Sequence, residues 1–66
     1  MKDKILLICE GLNIGIYTFL ASAFYWKYDR DETVVDDFIA FTRLGVIPDY
    51  AIDFVNHIEE VQREKK

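Results

Sequence analysis

One cysteine, one histidine and one proline in 66 residues exclude a good deal before any pattern is read. Cys9 alone cannot form an internal disulfide, and with His57 as the sole histidine there are too few ligands for a Cys/His zinc site. A chain this short is near the size at which one core ceases to suffice, and small domains add disulfides, metals or a second copy of themselves. Self-association or a partner is what the composition leaves. Basic residues are also scarce, with 8 Lys and Arg against 12 Asp and Glu and a net charge of −4. Nucleic-acid affinity comes largely from cations that neutralise phosphates, so direct nucleic-acid binding is not expected. Arg63, Lys65 and Lys66 are the only basic group, and at the end of a helix they complement its dipole. Lys2 and Lys4 resemble the start of a secretory signal, but no small-residue cleavage site precedes the aromatic end of the run that follows. Residues 46–48 are too short to separate domains, and a single helical domain over 1–66 is expected.

Apolar residues are abundant, at 52% with 15% aromatic, which is too rich for a disordered segment. They concentrate in residues 5–26, broken only by Glu10, Gly11, Asn13, Gly15, Thr18 and Ser22. Ile5, Ile8, Leu12, Ile16, Phe19, Ala23 and Trp26 recur in steps of three and four, the spacing of one helical face. Gly11, Gly15, Thr18 and Ser22 form a second, small-residue stripe that would let another backbone approach closely. Asp3, Glu10, Asn13 and Tyr17 form the polar stripe. Gly11 and Gly15 each cost about 1 kcal/mol relative to alanine in a helix interior, so a break between Glu10 and Ile14 competes with a continuous helix. The expectation is one long helix over 2–28.

The polar residues 29–32 end that helix, and Asp31 or Thr33 is expected to cap the next, with Asp36 three residues after Thr33. Val34, Val35, Phe38, Ile39, Phe41 and Leu44 supply its apolar face. Gly45 followed by Pro48 is a stop signal, which gives a second helix over 32–44. Pro48 then opens a third over 48–64, with Ile47, Tyr50 or Ala51, Phe54, Ile58 and Val61 as its apolar stripe. Asp53, His57, Glu59, Glu60 and Arg63 are expected on its solvated face, with Glu59 and Arg63 as an i,i+4 pair. The fold class is therefore all-α: a long apolar helix and a helical hairpin, completed by dimerisation.

Patterns that could carry chemistry are few. Asp29, Asp31 and Thr33 have the spacing that opens a calcium-binding loop, but Val34 stands where glycine is needed and Ala40 where a bidentate glutamate is needed. A solvated, helix-capping linker is the plain reading. Cys9 and His57 would suit a nucleophile and its base, yet Cys9 lies in an apolar helix and no third orienting group is identifiable. Asp36 and Asp37 are adjacent, about 100° apart around a helix, and cannot face one another as an acid/base pair. No catalysis and no cofactor are expected. Glu10 is the costly residue, because a carboxylate in so apolar a run must reach water or a partner. With Asn13 it marks either the exposed edge of the first helix or a polar site across an interface. Phe24, Tyr25, Trp26 and Tyr28 form either one end of a core, an anchor patch for a partner, or a membrane-interfacial belt.

Two functions follow. The first is a cytoplasmic protein-interaction module, a regulator, adaptor or inhibitor of a protein partner, dimeric through Gly11, Gly15, Thr18 and Ser22 or through the stripe that includes Ile16, Phe19 and Trp26, with Tyr25 alongside. Acidity would favour a basic surface on the partner. The second is a single-pass inner- or plasma-membrane protein with its span over 5–26, against which Glu10 and Asn13 count.

Overall fold

The computed structural model describes residues 2–64, so Lys65 and Lys66 of the basic terminal group lie outside the described residues. Among the described residues four helices follow one another: α1 (Lys2–Leu12), α2 (Ile16–Tyr28), α3 (Val35–Leu44) and α4 (Asp49–Glu64). The class is all-helical, as the 3.6-residue periodicity requires, but the long first helix is two helices. They meet at 98°.

The break has a local cause and a tertiary one. Asn13 takes a left-handed conformation at φ 57°, which asparagine tolerates better than other residues with a side chain. Its N–H donates to the Glu10 carbonyl at 3.1 Å, and the Ile14 N–H donates to the Cys9 carbonyl at 3.0 Å. This pair of bonds is the Schellman arrangement, in which the last carbonyls of a helix are satisfied by the chain turning back over them. Ile14 then packs on the cluster that contains Cys9, the apolar contact that usually accompanies the motif. The tertiary cause is length. A continuous helix over 2–28 would run about 40 Å, whereas α4, the longest cover at 16 residues, spans only about 24 Å. Turning the chain at Asn13 brings Ile5 and Cys9 into the same core as the rest.

That core joins Ile5 and Cys9 of α1, Phe19, Leu20 and Ala23 of α2, Val34, Phe41 of α3, and Tyr50, Ala51 and Val55 of α4. Helix α2 is its centre and packs chiefly on α4, with α3 and α1 at its sides. The apolar stripe expected of the first helix is divided by the bend. Ile5, Phe19 and Ala23 are fully buried, Ile8 and Ile16 half-buried, and Leu12 and Trp26 exposed. At the full core burial of side chains such as Phe19, each contributes roughly 1.5 to 3 kcal/mol.

The start of α3 also differs from expectation. Its N-cap is Val34, no side chain caps it, and neither Asp31 nor Thr33 does so. Val34 is 2% exposed, so the chain enters the helix by burying a valine in the core, and this outweighs a polar cap in solvent. Asp36 and Asp37 still occupy the first turn, where carboxylates suit the dipole. At the other end Gly45, at φ 71°, closes the helix as its sequence position implies. Pro48 begins α4 by accepting hydrogen bonds from Ala51 and Ile52. Among the described residues no single helix is long and apolar enough to cross a membrane; α1 and α2 reach that length only together, across the bend.

Candidate functional site

The side chains that reach out from this core gather on two faces. On the first, α2 turns Thr18, Ser22 and Tyr25 to solvent, one helical turn apart, and Asp29 continues the row past the helix end. Ala21, Ser22, Tyr25, Trp26, Asp29 and Asp31 line an open groove of about 560 Å³ here. Trp26 is held in place from behind. Its ring stacks on His57 at 4.7 Å and tilts against Phe54 at 5.5 Å, both from α4, yet 41% of the residue remains exposed. Tyr25 projects further, at 52% exposure. Asp29 adopts a left-handed conformation and donates its N–H to the Tyr25 carbonyl at 2.8 Å, which closes α2 and starts the acidic turn.

The second face is a groove of about 280 Å³ between α1 and α4, lined by Leu7, Ile8, Gly11, Leu12, Ile58 and Gln62. Leu7 and Leu12 are more than half exposed, and Leu6, about 100° around the helix from Leu7, is exposed as well. Below it, Lys4 Nζ meets Glu59 Oε1 at 2.8 Å and ties α1 to α4. Both partners are partly solvated, so the pair contributes about 0.2 to 1 kcal/mol.

The charged face expected of the last helix is thus partly an inner edge. Glu59 pairs with Lys4, not with Arg63, because α1 crosses close to it. Asp53 pairs with Lys27 of α2, and that carboxylate's hydrogen bond raises the Lys27 pKa. His57 lies against Trp26. Across α3 and α4 the buried Tyr50 hydroxyl donates to Asp37 Oδ2, a pairing that sequence spacing could not indicate. Burial first, then the Asp37 carboxylate, pushes the Tyr50 pKa well up.

Of the residues singled out from sequence, Ser22, Tyr25 and Trp26 come together on the α2 groove. Gly11 lies in the α1–α4 groove, while Gly15 is the N-cap of α2, so the bend separates the two glycines onto different helices. Thr18 is exposed, Ile16 half-buried, and Phe19 wholly inside the chain's own core. Glu10 is exposed, and Asn13 is spent on the turn. Cys9 is 5% exposed and its pKa is raised by burial, which disfavours the thiolate that nucleophilic chemistry needs. Among the described residues no three of His, Cys, Asp or Glu converge as a metal site would require. The sequence marks Asp31 only as a helix cap or a calcium-loop position, and its place in the groove with Trp26 depends on the turn after α2.

No protein-family model matches the chain, and no characterised protein or solved structure is significantly similar to it.

Proposed function

We propose that this chain is a non-catalytic helical protein-interaction module, a regulator, adaptor or inhibitor of a protein partner, and that it works as a homodimer. The observation that supports this reading best is the outer surface of α1. Only Ile5 and Cys9 of that helix are buried, while Leu6, Leu7 and Leu12 stand in solvent. Leaving so many large side chains wet on an 11-residue helix is unfavourable unless another chain covers them. Aromatic residues at the edge of the α2 groove suit a partner, since tryptophan and tyrosine dominate binding hot spots.

Size-exclusion chromatography with light scattering, on protein prepared without detergent, tests it. A species near twice 7.8 kDa is expected, and Leu7→Lys should return it to a monomer of unchanged helicity. A wild-type monomer would refute self-association. Gly15→Leu separates the two possible seams, because Gly15 is exposed, has an extended backbone, and a Cβ there meets nothing within 4 Å. Loss of the dimer assigns the seam to the Gly15, Thr18 and Ser22 side of α2, and an unchanged dimer assigns it to the α1 leucines.

A second reading, a single-pass membrane protein with its span over 5–26 and an acidic amphipathic tail, draws on the joint apolar length of α1 and α2. It requires the 98° bend to open into a straight helix. Recovery only in the membrane fraction would favour it.

A further inference from the structure

We infer that the groove at the end of α2 recognises an arginine side chain presented by a protein partner, a statement that rests on the interaction-module reading and names the chemistry of its site. Four features of the groove converge on a cation with a flat, weakly hydrated face. Tyr25 and Trp26 offer aromatic surface to solvent, and such faces attract cations through the ring quadrupole. Trp26 is pre-positioned by His57 and Phe54, so little of its freedom is lost on binding. Asp29 and Asp31 line the same groove, and among the described residues neither is in an ion pair. The groove also opens at the C-terminal, electronegative end of a 13-residue helix.

The nearby cations do not neutralise it. Lys27 is engaged with Asp53, and Arg30 pairs with Glu32 at 3.4 Å while lying 5.8 Å over the Phe24 ring. Guanidinium fits this set better than ammonium does. It is planar, stacks on aromatic faces, and presents a fork of donors that can meet a carboxylate while the stack is made. The remaining lining is small, Ala21 and Ser22, which leaves room for the aliphatic stem and for apolar neighbours on the partner. At about 560 Å³ and open to solvent, the groove accepts a residue carried on a protein surface and exceeds what one free side chain would fill.

The test is a heteronuclear NMR titration of the full chain with the blocked peptide Ac-Ala-Arg-Leu-Ala-NH2 and its lysine and citrulline counterparts. Saturable shifts at Tyr25, Trp26, Asp29 and Asp31, strongest for arginine and absent for the isosteric, uncharged citrulline, are expected. Asp29→Asn and Asp31→Asn together should weaken the arginine peptide about tenfold or more, as the loss of charge-assisted hydrogen bonds predicts. Asparagine tolerates the left-handed backbone at Asp29, so the fold survives the change. Asp36→Asn, an exposed carboxylate on α3, removes one charge outside the groove and should leave binding unchanged. Three results would overturn the inference: equal shifts with citrulline, an Asp36→Asn effect as large as that of the groove variants, or no shifts in the groove at about 10 mM peptide. If any of these occurs while light scattering still shows the dimer, the arginine site falls and the interaction module stands. Recovery only with membranes overturns the module reading itself.

Discussion

Phe19→Ala separates a residue of the chain's own core from a residue of an interface, and the structure sets its size. Phe19 is 0% exposed, lies in the first turn of α2, and tilts against Phe54 at a ring separation of 5.4 Å. Truncating such a phenylalanine removes its transfer free energy and leaves a cavity that the neighbours refill only in part, at about 3 to 5 kcal/mol. A domain of 66 residues has a total stability of roughly 3 to 10 kcal/mol at ordinary per-residue values, so the variant should be partly or wholly unfolded. If enough stability remains to follow a transition, each kcal/mol lowers Tm by roughly 4 to 8 °C at this size, and the loss should exceed about 12 °C. Thermal and urea melts followed by far-ultraviolet circular dichroism measure it. Tyr25→Ala, on the exposed face of the same helix, should change stability by less than about 0.5 kcal/mol. If Phe19→Ala melted within a few degrees of the parent while self-association was lost, the phenylalanine would belong to a seam between chains, and the packing of α2 on α4 described above would be wrong.

Gly45→Ala should cost about 1 kcal/mol, visible in the same melts, because the residue sits at φ 71° and the penalty is one of backbone conformation with open space around the new methyl. Tyr50→Phe should cost about 1 kcal/mol through the lost bond to Asp37 and should also alter the alkaline limb of stability. Since the folded-state pKa of Tyr50 is raised, its contribution is complete below the unfolded value of about 10 and fades as pH climbs above it, so urea midpoints should fall above that pH in the parent and less in the variant. Cys9 should react slowly with a disulfide reagent in the native protein and quickly in denaturant, and rapid native labelling would mean that α1 leaves the core readily.

What was legible in the sequence is what depends on neighbours a few residues apart. The period of three to four in residues 5–26, 34–44 and 47–61 reflects helix geometry, and Gly45 with Pro48 marks a boundary because one tolerates a left-handed backbone and the other cannot continue a helix. Asn13 followed by an apolar Ile14 was also a stop signal, the counterpart of a glycine C-cap. The apolar residues at helical spacing on both sides of it, from Ile5 to Leu12 and from Ile16 to Trp26, point the other way, to a continuous helix. On α4, Tyr50, Ala51, Phe54 and Ile58 fell on the expected face, and Val55, one turn after Ala51 and fully buried, widens that face into the core. The aromatic end of α2 was visible as a patch, but that Trp26 would be braced by His57 was not.

By itself, then, the sequence determined that the chain is helical, where α3 ends and α4 begins, and that it is rich in apolar side chains, because propensity, capping and composition are local or additive properties. The tertiary structure decided that the first apolar run bends at Asn13, that Glu59, Asp53 and His57 face α1 and α2, and that Ser22, Tyr25, Trp26, Asp29 and Asp31 share one groove. Each of those depends on which helix has room beside which, and with a 16-residue α4 as the longest cover, only folding α1 back lets both halves of the run share one core.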